Sequence, residues 1–285
     1  MILEKIRTVG VVGAGIMGRG IAQVCATSGF AVLLYDVNQE FLQKSLLTIG
    51  NSLQASVDKG KLTPLQKQDA LNKITPCKNL EQVRADLIIE AAIETLEIKR
   101  DVFNVLEKAN LPDCILATNT SSIPVTQIAS CLKNPERFAG LHFFNPANIM
   151  KLVEIISGVA TSSTTINTLK IFTEKLGKIA VLTKDSPGFI VNRVARHYYV
   201  EALKILEENA ADIKTIDALL KSTGFKMGAF ELMDLIGVDT NFSVTTSMFN
   251  AFHQDSKFRP SSIQQQKVDA GHYGRKSGKG FYDYK

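Results

Sequence analysis

The run Gly140-Leu141-His142-Phe143-Phe144-Asn145-Pro146 sets one histidine among aromatic residues at the end of an expected strand. A little further on, Leu152-Val153-Glu154-Ile155-Ile156 carries a single acid between aliphatic residues in a second expected strand. A carboxylate in such a strand is costly to bury unless it is paired. The two segments are joined by a turn rich in Pro and Asn, so they can pair and bring His142 to Glu154. A carboxylate that fixes the tautomer of an imidazole and stabilises its protonated form makes a general base. From the residues alone the alternative stays open: a core histidine satisfied by a backbone carbonyl, and a glutamate in an unrelated ion pair.

The second chemical signal is Gly13-Ala14-Gly15-Ile16-Met17-Gly18. In a dinucleotide fingerprint the first glycine makes the strand-to-helix turn, the second lets the backbone approach a pyrophosphate, and the third lets helix and sheet pack closely. The N–H groups of Ile16, Met17 and Gly18 then face the phosphates with the positive end of a helix behind them. Three spaced glycines are weak evidence alone, but here a strand precedes them and a helix follows. Asp36 ends the next strand about 20 residues on, where an acid accepts hydrogen bonds from the adenosine ribose. The competing reading makes Asp36 a cap for the helix over 38–59. Val37 and Asn38 offer no cation to a 2′-phosphate, so NAD is expected over NADP. Asn119-Thr120-Ser121-Ser122 follows another strand directly, at the carboxyl end where ligands bind in open parallel sheets. Its groups suit a substrate oxygen or the nicotinamide amide, with Ser122 as the N-cap of a helix over 124–131 as the alternative.

These residues need a scaffold, and the first half of the chain supplies alternating strands and helices. Strands are expected over 8–12, 31–35, 86–91 and 114–119, with helices over 16–28 and 38–59, a short helical hairpin, and a helix bearing Ile98, Val102, Val105 and Leu106 on one face. That alternation predicts an α/β fold with a doubly wound parallel sheet. After Ser186-Pro187-Gly188 strand-like runs cease, and helices are expected over 188–208, 212–222 and 231–251. The first and third are apolar on more than one face, as in a core or a subunit interface. The boundary is placed near 185, giving domains over 1–185 and 186–285.

The 285 residues suffice for two cores, and a composition of 45% hydrophobic and 21% charged residues is that of a globular protein. A net charge of +5 without a dense basic run argues against nucleic acid as a partner. Cys25, Cys77, Cys114 and Cys131 share no metal-ligand or redox spacing, so reduced thiols and no metal are expected. No apolar run approaches the roughly 20 residues that span a bilayer, and too few residues precede the first strand for a targeting peptide. A cytoplasmic enzyme with no membrane partner is the expectation.

The fingerprint, the histidine run and the acid-bearing strand together resemble the 3-hydroxyacyl-CoA dehydrogenase family, most closely its stand-alone bacterial members acting on 3-hydroxybutyryl-CoA. The likeness runs end to end and includes Lys-Leu-Val-Glu at 151–154, Asp-Ser-Pro-Gly-Phe-Ile-Val-Asn-Arg at 185–193 and Gly-Arg-Lys-Ser-Gly-Lys-Gly-Phe-Tyr at 274–282. The resemblance implies a Rossmann-type NAD domain, a helical dimerisation domain, and an acyl-CoA substrate. It implies that His142 takes the 3-hydroxyl proton and that Glu154 orients it. Ser121 and Asn192 would bond the reacting oxygen or thioester and position the nicotinamide, and Asn145 would hold that network. Glu94 and Lys99 would lie near the nicotinamide-side ribose and phosphates, and Lys59 would meet the CoA nucleotide. Ala55 departs from the family, standing where relatives have a second lysine facing CoA. Ala229 and His197 each replace a common proline. Two rivals remain, a dehydrogenase of free 3-hydroxy acids and a non-catalytic dinucleotide-binding protein.

Overall fold

The computed structural model describes residues 6–284. Two compact units emerge, one ending at Ser186 and the other beginning at Pro187. In the first, eight strands form one sheet in the order β3-β2-β1-β4-β5-β6-β7-β8. They are β1 (Thr8–Val12), β2 (Ala31–Tyr35), β3 (Ile74–Cys77), β4 (Leu87–Glu90), β5 (Ile115–Thr118), β6 (Phe138–Phe143), β7 (Leu152–Ser157) and β8 (Ile179–Lys184). Strands β1 to β6 pair in parallel, β7 runs antiparallel to β6, and β8 follows β7 in parallel. The chain leaves β1 toward β2 on one side and resumes at β4 on the other, so a switch point opens between β1 and β4. Ligands bind in such crevices at the carboxyl ends of the strands.

Central strands β4, β5 and β6 are buried along their whole length, which is why they read as continuous apolar runs. Helices α1 (Ile16–Thr27), α2 (Gln39–Asp58) and α3 (Pro64–Asn72) come between β1 and β3, and α4 (Leu96–Ala109) and α5 (Val125–Ala129) flank β5. One core joins Val9, Val11, Ile21, Leu34, Leu42, Leu87 and Ile89 with Leu141, Val153 and Phe172, the last from α6 (Ser163–Lys175).

The second unit holds α7 (Val191–Glu207), α8 (Ile213–Ser222), α9 (Ala229–Ile236), α10 (Val238–Ala251) and α11 (Ser262–Asp269). The single helix expected over 231–251 is two, because Gly237 at φ 107° breaks the pattern between α9 and α10. Tyr199, Leu203, Ile216, Phe230, Met233, Val238 and Phe281 make its own core. Two buried aspartates knit it together. Asp217 accepts from the N–H groups of Phe230 and Glu231, and Asp234 from those of Phe281 and Tyr282, each at 2.9–3.0 Å. The glycine-rich run at 274–282 is therefore bound to α9 through main-chain N–H groups that donate to the Asp234 carboxylate. No helix among the described residues is long and apolar enough to cross a membrane.

Candidate active site

Strands β6 and β7 set His142 directly opposite Glu154 in their antiparallel register. Period-two alternation then puts both side chains on one face of the sheet. His142 Nδ1 lies 2.8 Å from Glu154 Oε2, with the histidine 6% and the glutamate 0% exposed. With the carboxylate ionised, Nδ1 carries the proton and Nε2 becomes the accepting nitrogen. The Phe144 ring packs against the imidazole at a centroid distance of 4.5 Å. One residue along β6, the Phe143 N–H donates to Asn119 Oδ1 at 2.8 Å, and Asn119 in turn donates its N–H to the Glu90 carbonyl at 2.7 Å. Asn119 thus ties the histidine strand to the end of β4.

The loop after β5 is organised by Glu94. Its Oε1 accepts from the Ser121 N–H at 2.9 Å, the Ser122 N–H at 3.2 Å and Ser122 Oγ at 3.1 Å, as well as from the Thr120 hydroxyl. Its Oε2 sits 3.2 Å from Lys99 Nζ. Burial alone would raise the Glu94 carboxyl, but the Lys99 charge and the donors from Thr120 and Ser121 outweigh it and hold the group below its ordinary value. Ser122 is thereby occupied with Glu94 and does not cap α5. That role falls to Asp185, whose two oxygens accept from the Val125 and Thr126 N–H groups at 2.9 and 2.7 Å. Lys99 is 1% exposed and held by Glu90 and Glu94.

The fingerprint turn is shaped for a dinucleotide. Gly13 adopts φ 97° with its backbone against Ala91, where a β-carbon would stand 2.6 Å from the Ala91 carbonyl. A β-carbon on Gly18 would stand 1.7 Å from the Gly13 carbonyl, which closes helix onto strand. Above Gly15 the space is open, and the first turn of α1 holds no acid, so Ile16, Met17 and Gly18 present uncompensated positive helix charge. Asp36 does not cap α2. Asn38 does, through Phe41 N–H, while Asp36 accepts from the Ala14 and Asn38 N–H groups at 2.7 and 2.9 Å. Those bonds use two of the roughly four lone-pair directions of a carboxylate and leave the rest for ribose hydroxyls. These residues fit NAD, and replacing Asp36 with alanine should relax the preference for it. The ratio of kcat/KM for NAD to that for NADP is expected to fall by about tenfold or more, since the carboxylate bonds the diol and repels a 2′-phosphate. An unchanged ratio would show that Asp36 only braces the turn.

A cleft of about 260 Å³ adjoins α1, α2 and the turn after β6, lined by Arg19, Gln23, Ser52, Asn145 and Asn148 among others. Asn145 is exposed in that wall. Lys59 caps the C-terminal end of α2, exposed, on the helix that also lends the cleft Thr48, Ile49 and Ser52. Asn192 belongs to the second unit, in the first turn of α7. The residue that sequence reasoning passed over is Glu90, wholly buried at the end of β4. Its signal was present in Leu-Ile-Ile-Glu, an acid closing an aliphatic strand as in the strand of Glu154. The four cysteines are free, and burial pushes Cys25 and Cys114 up to about 12.

Comparison with known proteins gives one consistent result. The model for the 3-hydroxyacyl-CoA dehydrogenase NAD binding domain matches residues 8–186, and that for the C-terminal domain of the same enzymes matches 188–284. A 3-hydroxyadipyl-CoA dehydrogenase of Escherichia coli strain K12 is 49% identical over 99% of this chain, which spans 60% of that protein's length. A 3-hydroxybutyryl-CoA dehydrogenase of Bradyrhizobium diazoefficiens is 42% identical, covering 98% of this chain and 96% of its own. The crystal structure of an (S)-3-hydroxybutyryl-CoA dehydrogenase from Ralstonia eutropha superposes with a TM-score of 0.95 at 39% identity, covering 98% of this chain and 99% of that one.

Proposed function

The chain belongs to the 3-hydroxyacyl-CoA dehydrogenase family, and from that premise we propose that it interconverts (S)-3-hydroxyacyl-CoA and 3-oxoacyl-CoA with NAD, on short acyl chains such as 3-hydroxybutyryl-CoA. The observation that carries this reading is the buried His142–Glu154 pair at 2.8 Å, on the strand joined through Asn119 to the end of β4. The cofactor, when bound, accepts the hydride from C3 at its nicotinamide ring. The chain supplies the rest. His142 Nε2 takes the hydroxyl proton, and Glu154 stabilises the imidazolium that forms. Ser121 and Asn145 hydrogen-bond the reacting oxygen and the thioester carbonyl, fixing the near-attack geometry, and Asn192 is a further candidate hydrogen-bonding residue for the substrate. Lys59 meets the CoA phosphates, and the polar cleft beside α2 receives the carrier chain. Glu94 holds the Ser121 loop, and Lys99 supports it from below.

Initial rates of NAD reduction with (S)-3-hydroxybutyryl-CoA, its (R) isomer and free 3-hydroxybutyrate test this reading. The (S)-thioester should be used at least 100-fold better in kcat/KM than either of the others, because the free acid lacks the groups the site bonds and the (R) isomer cannot present its hydroxyl to the base and its C3 hydrogen to the nicotinamide together. Preference for the free acid would make the chain a hydroxy-acid dehydrogenase. NAD binding without turnover of any of them would make it a binding protein. The name of the 49%-identical relative adds 3-hydroxyadipyl-CoA, whose acyl chain ends in a second carboxylate, to the substrates worth comparing.

The second unit is further proposed to form a homodimer or a larger homo-oligomer. A groove lined by Val194, Tyr198, Tyr199, Phe225, Met227 and Leu232 is almost wholly apolar, with Val194 68% and Phe225 53% exposed. Apolar patches of that kind mark subunit interfaces. Light scattering at micromolar concentration should return at least twice the chain mass of 31.2 kDa. A stable monomer there contradicts the proposal.

A further inference from the structure

Glu90 does more than neutralise Lys99. Its Oε1 accepts from Lys99 Nζ and from the Ala92 N–H, both at 2.7 Å, and its Oε2 accepts from Thr118 Oγ1 at 2.7 Å. Its carbonyl takes the Asn119 N–H at 2.7 Å. One residue on, the Ala91 N–H donates to the Val12 carbonyl at 2.7 Å, and Ala91 is the residue against which Gly13 packs. Lys99, held by Glu90, faces Glu94, which gathers Thr120, Ser121 and Ser122. The Glu90 carboxylate therefore ties the end of β5 to the loop after β4 and, through Lys99 and Glu94, to the Ser121 loop, while the neighbouring Ala91 meets the fingerprint turn by main chain alone.

Buried ion pairs contribute little net stability, and apolar replacements of similar volume are often as stable. What distinguishes this pair is its place at the junction of the β4 and β5 ends with the Ser121 loop. In a doubly wound sheet the adenosine half of a dinucleotide lies over β1 and β2, on the side of Asp36. The other half crosses the switch point to the ends of β4 and β5. Glu90 sits under the second half only.

We propose that Glu90, acting through Lys99, is a positioning residue that sets the seat of the nicotinamide half of the cofactor without contributing to the adenosine half. The idea rests on the NAD-dependent reading above, but its test needs no acyl-CoA, so failure of the substrate assignment leaves it measurable. The experiment compares binding of NADH and of ADP, which lacks the nicotinamide and its ribose, to the intact protein by titration calorimetry. Glu90→Gln keeps the shape but takes away the charge that holds Lys99. The double variant Glu90→Gln/Lys99→Met removes both charges and guards against a single variant that fails to fold.

NADH affinity should fall about tenfold in either folded variant, with ADP affinity near that of the wild type; the single variant, which leaves Lys99 buried beside Glu94 alone, should melt lower, and the double variant closer to the wild type. A displacement of about 1 Å at the reacting end costs on the order of 10²-fold in rate, so kcat should fall further than NADH affinity does. Glu90→Asp should not restore the wild-type values, because the shorter side chain cannot reach Thr118 and Lys99 together. Three results overturn the proposal: equal losses for NADH and ADP, a lowered midpoint with unchanged NADH affinity, or no change at all.

Discussion

Replacing His142 with glutamine is expected to lower kcat for oxidation of 3-hydroxybutyryl-CoA by about 10²–10⁴-fold, the usual contribution of a positioned general base. Glutamine fills nearly the same space and can still donate to Glu154 Oε2, so the β6–β7 pairing should survive. The fingerprint turn, Asp36 and the Ser121 loop are untouched by the change, and NADH should bind as it does to the wild type. The loss should therefore appear in kcat and kcat/KM together, the pattern of an interaction made in the transition state. Stopped-flow measurement of the hydride step, alongside NADH titration, separates the two. A variant that binds NADH normally and keeps most of its turnover would place the base elsewhere.

Glu154→Gln is the sharper test, since the residue touches no substrate. Glu154 is wholly buried beside a histidine, and an amide there removes a buried charge without changing shape. If the acid served only packing or an ion pair, the variant would change in stability and keep its rate. If it stabilises the imidazolium, kcat should fall by about 10²–10⁴-fold, as when a triad loses the carboxylate that orients its histidine. KM for the thioester should move little, because the charge on His142 develops only as the proton transfers. Steady-state kinetics beside a thermal melt distinguishes these outcomes. Normal kcat in a protein with a shifted melting midpoint would reduce Glu154 to a structural acid.

Much of this arrangement was legible before any coordinates. The fingerprint was readable because its glycines are demanded by backbone geometry, and the strand before and helix after them restrict the reading. His142 and Glu154 were readable as partners because one turn joins their strands and an acid among aliphatics needs a mate. Elements at the margins were harder. β3, Ile-Thr-Pro-Cys, is only four residues long and carries a proline, tolerable because it is an edge strand with little ladder to lose. β8 lies at the other edge and is only partly buried, so its apolar run is no guide to pairing. Gly237 broke a helix whose apolar pattern continues on both sides of it.

The loop around Ser121 was legible in kind and not in wiring. Hydroxyls at the end of a strand suggested ligand contacts or a cap, and only coordinates show that Glu94 collects them while Asp185 caps α5. Lys99 was legible as a residue of the site but not as one buried between two acids. Its partner Glu90 lies nine residues back across one loop, and no local periodicity relates them.

The central claim is that this chain moves a hydride between NAD and the 3-position of an acyl-CoA thioester, with His142 handling the proton. The most direct measurement is the loss of NADH absorbance when purified protein is mixed with acetoacetyl-CoA, with the product quantified in the same reaction. The account predicts one NADH consumed per (S)-3-hydroxybutyryl-CoA formed, at a turnover of about 1–10³ s⁻¹, and a corresponding loss in the His142→Gln protein. NADH that binds and is not consumed, or consumption that the His142→Gln variant matches, would contradict it.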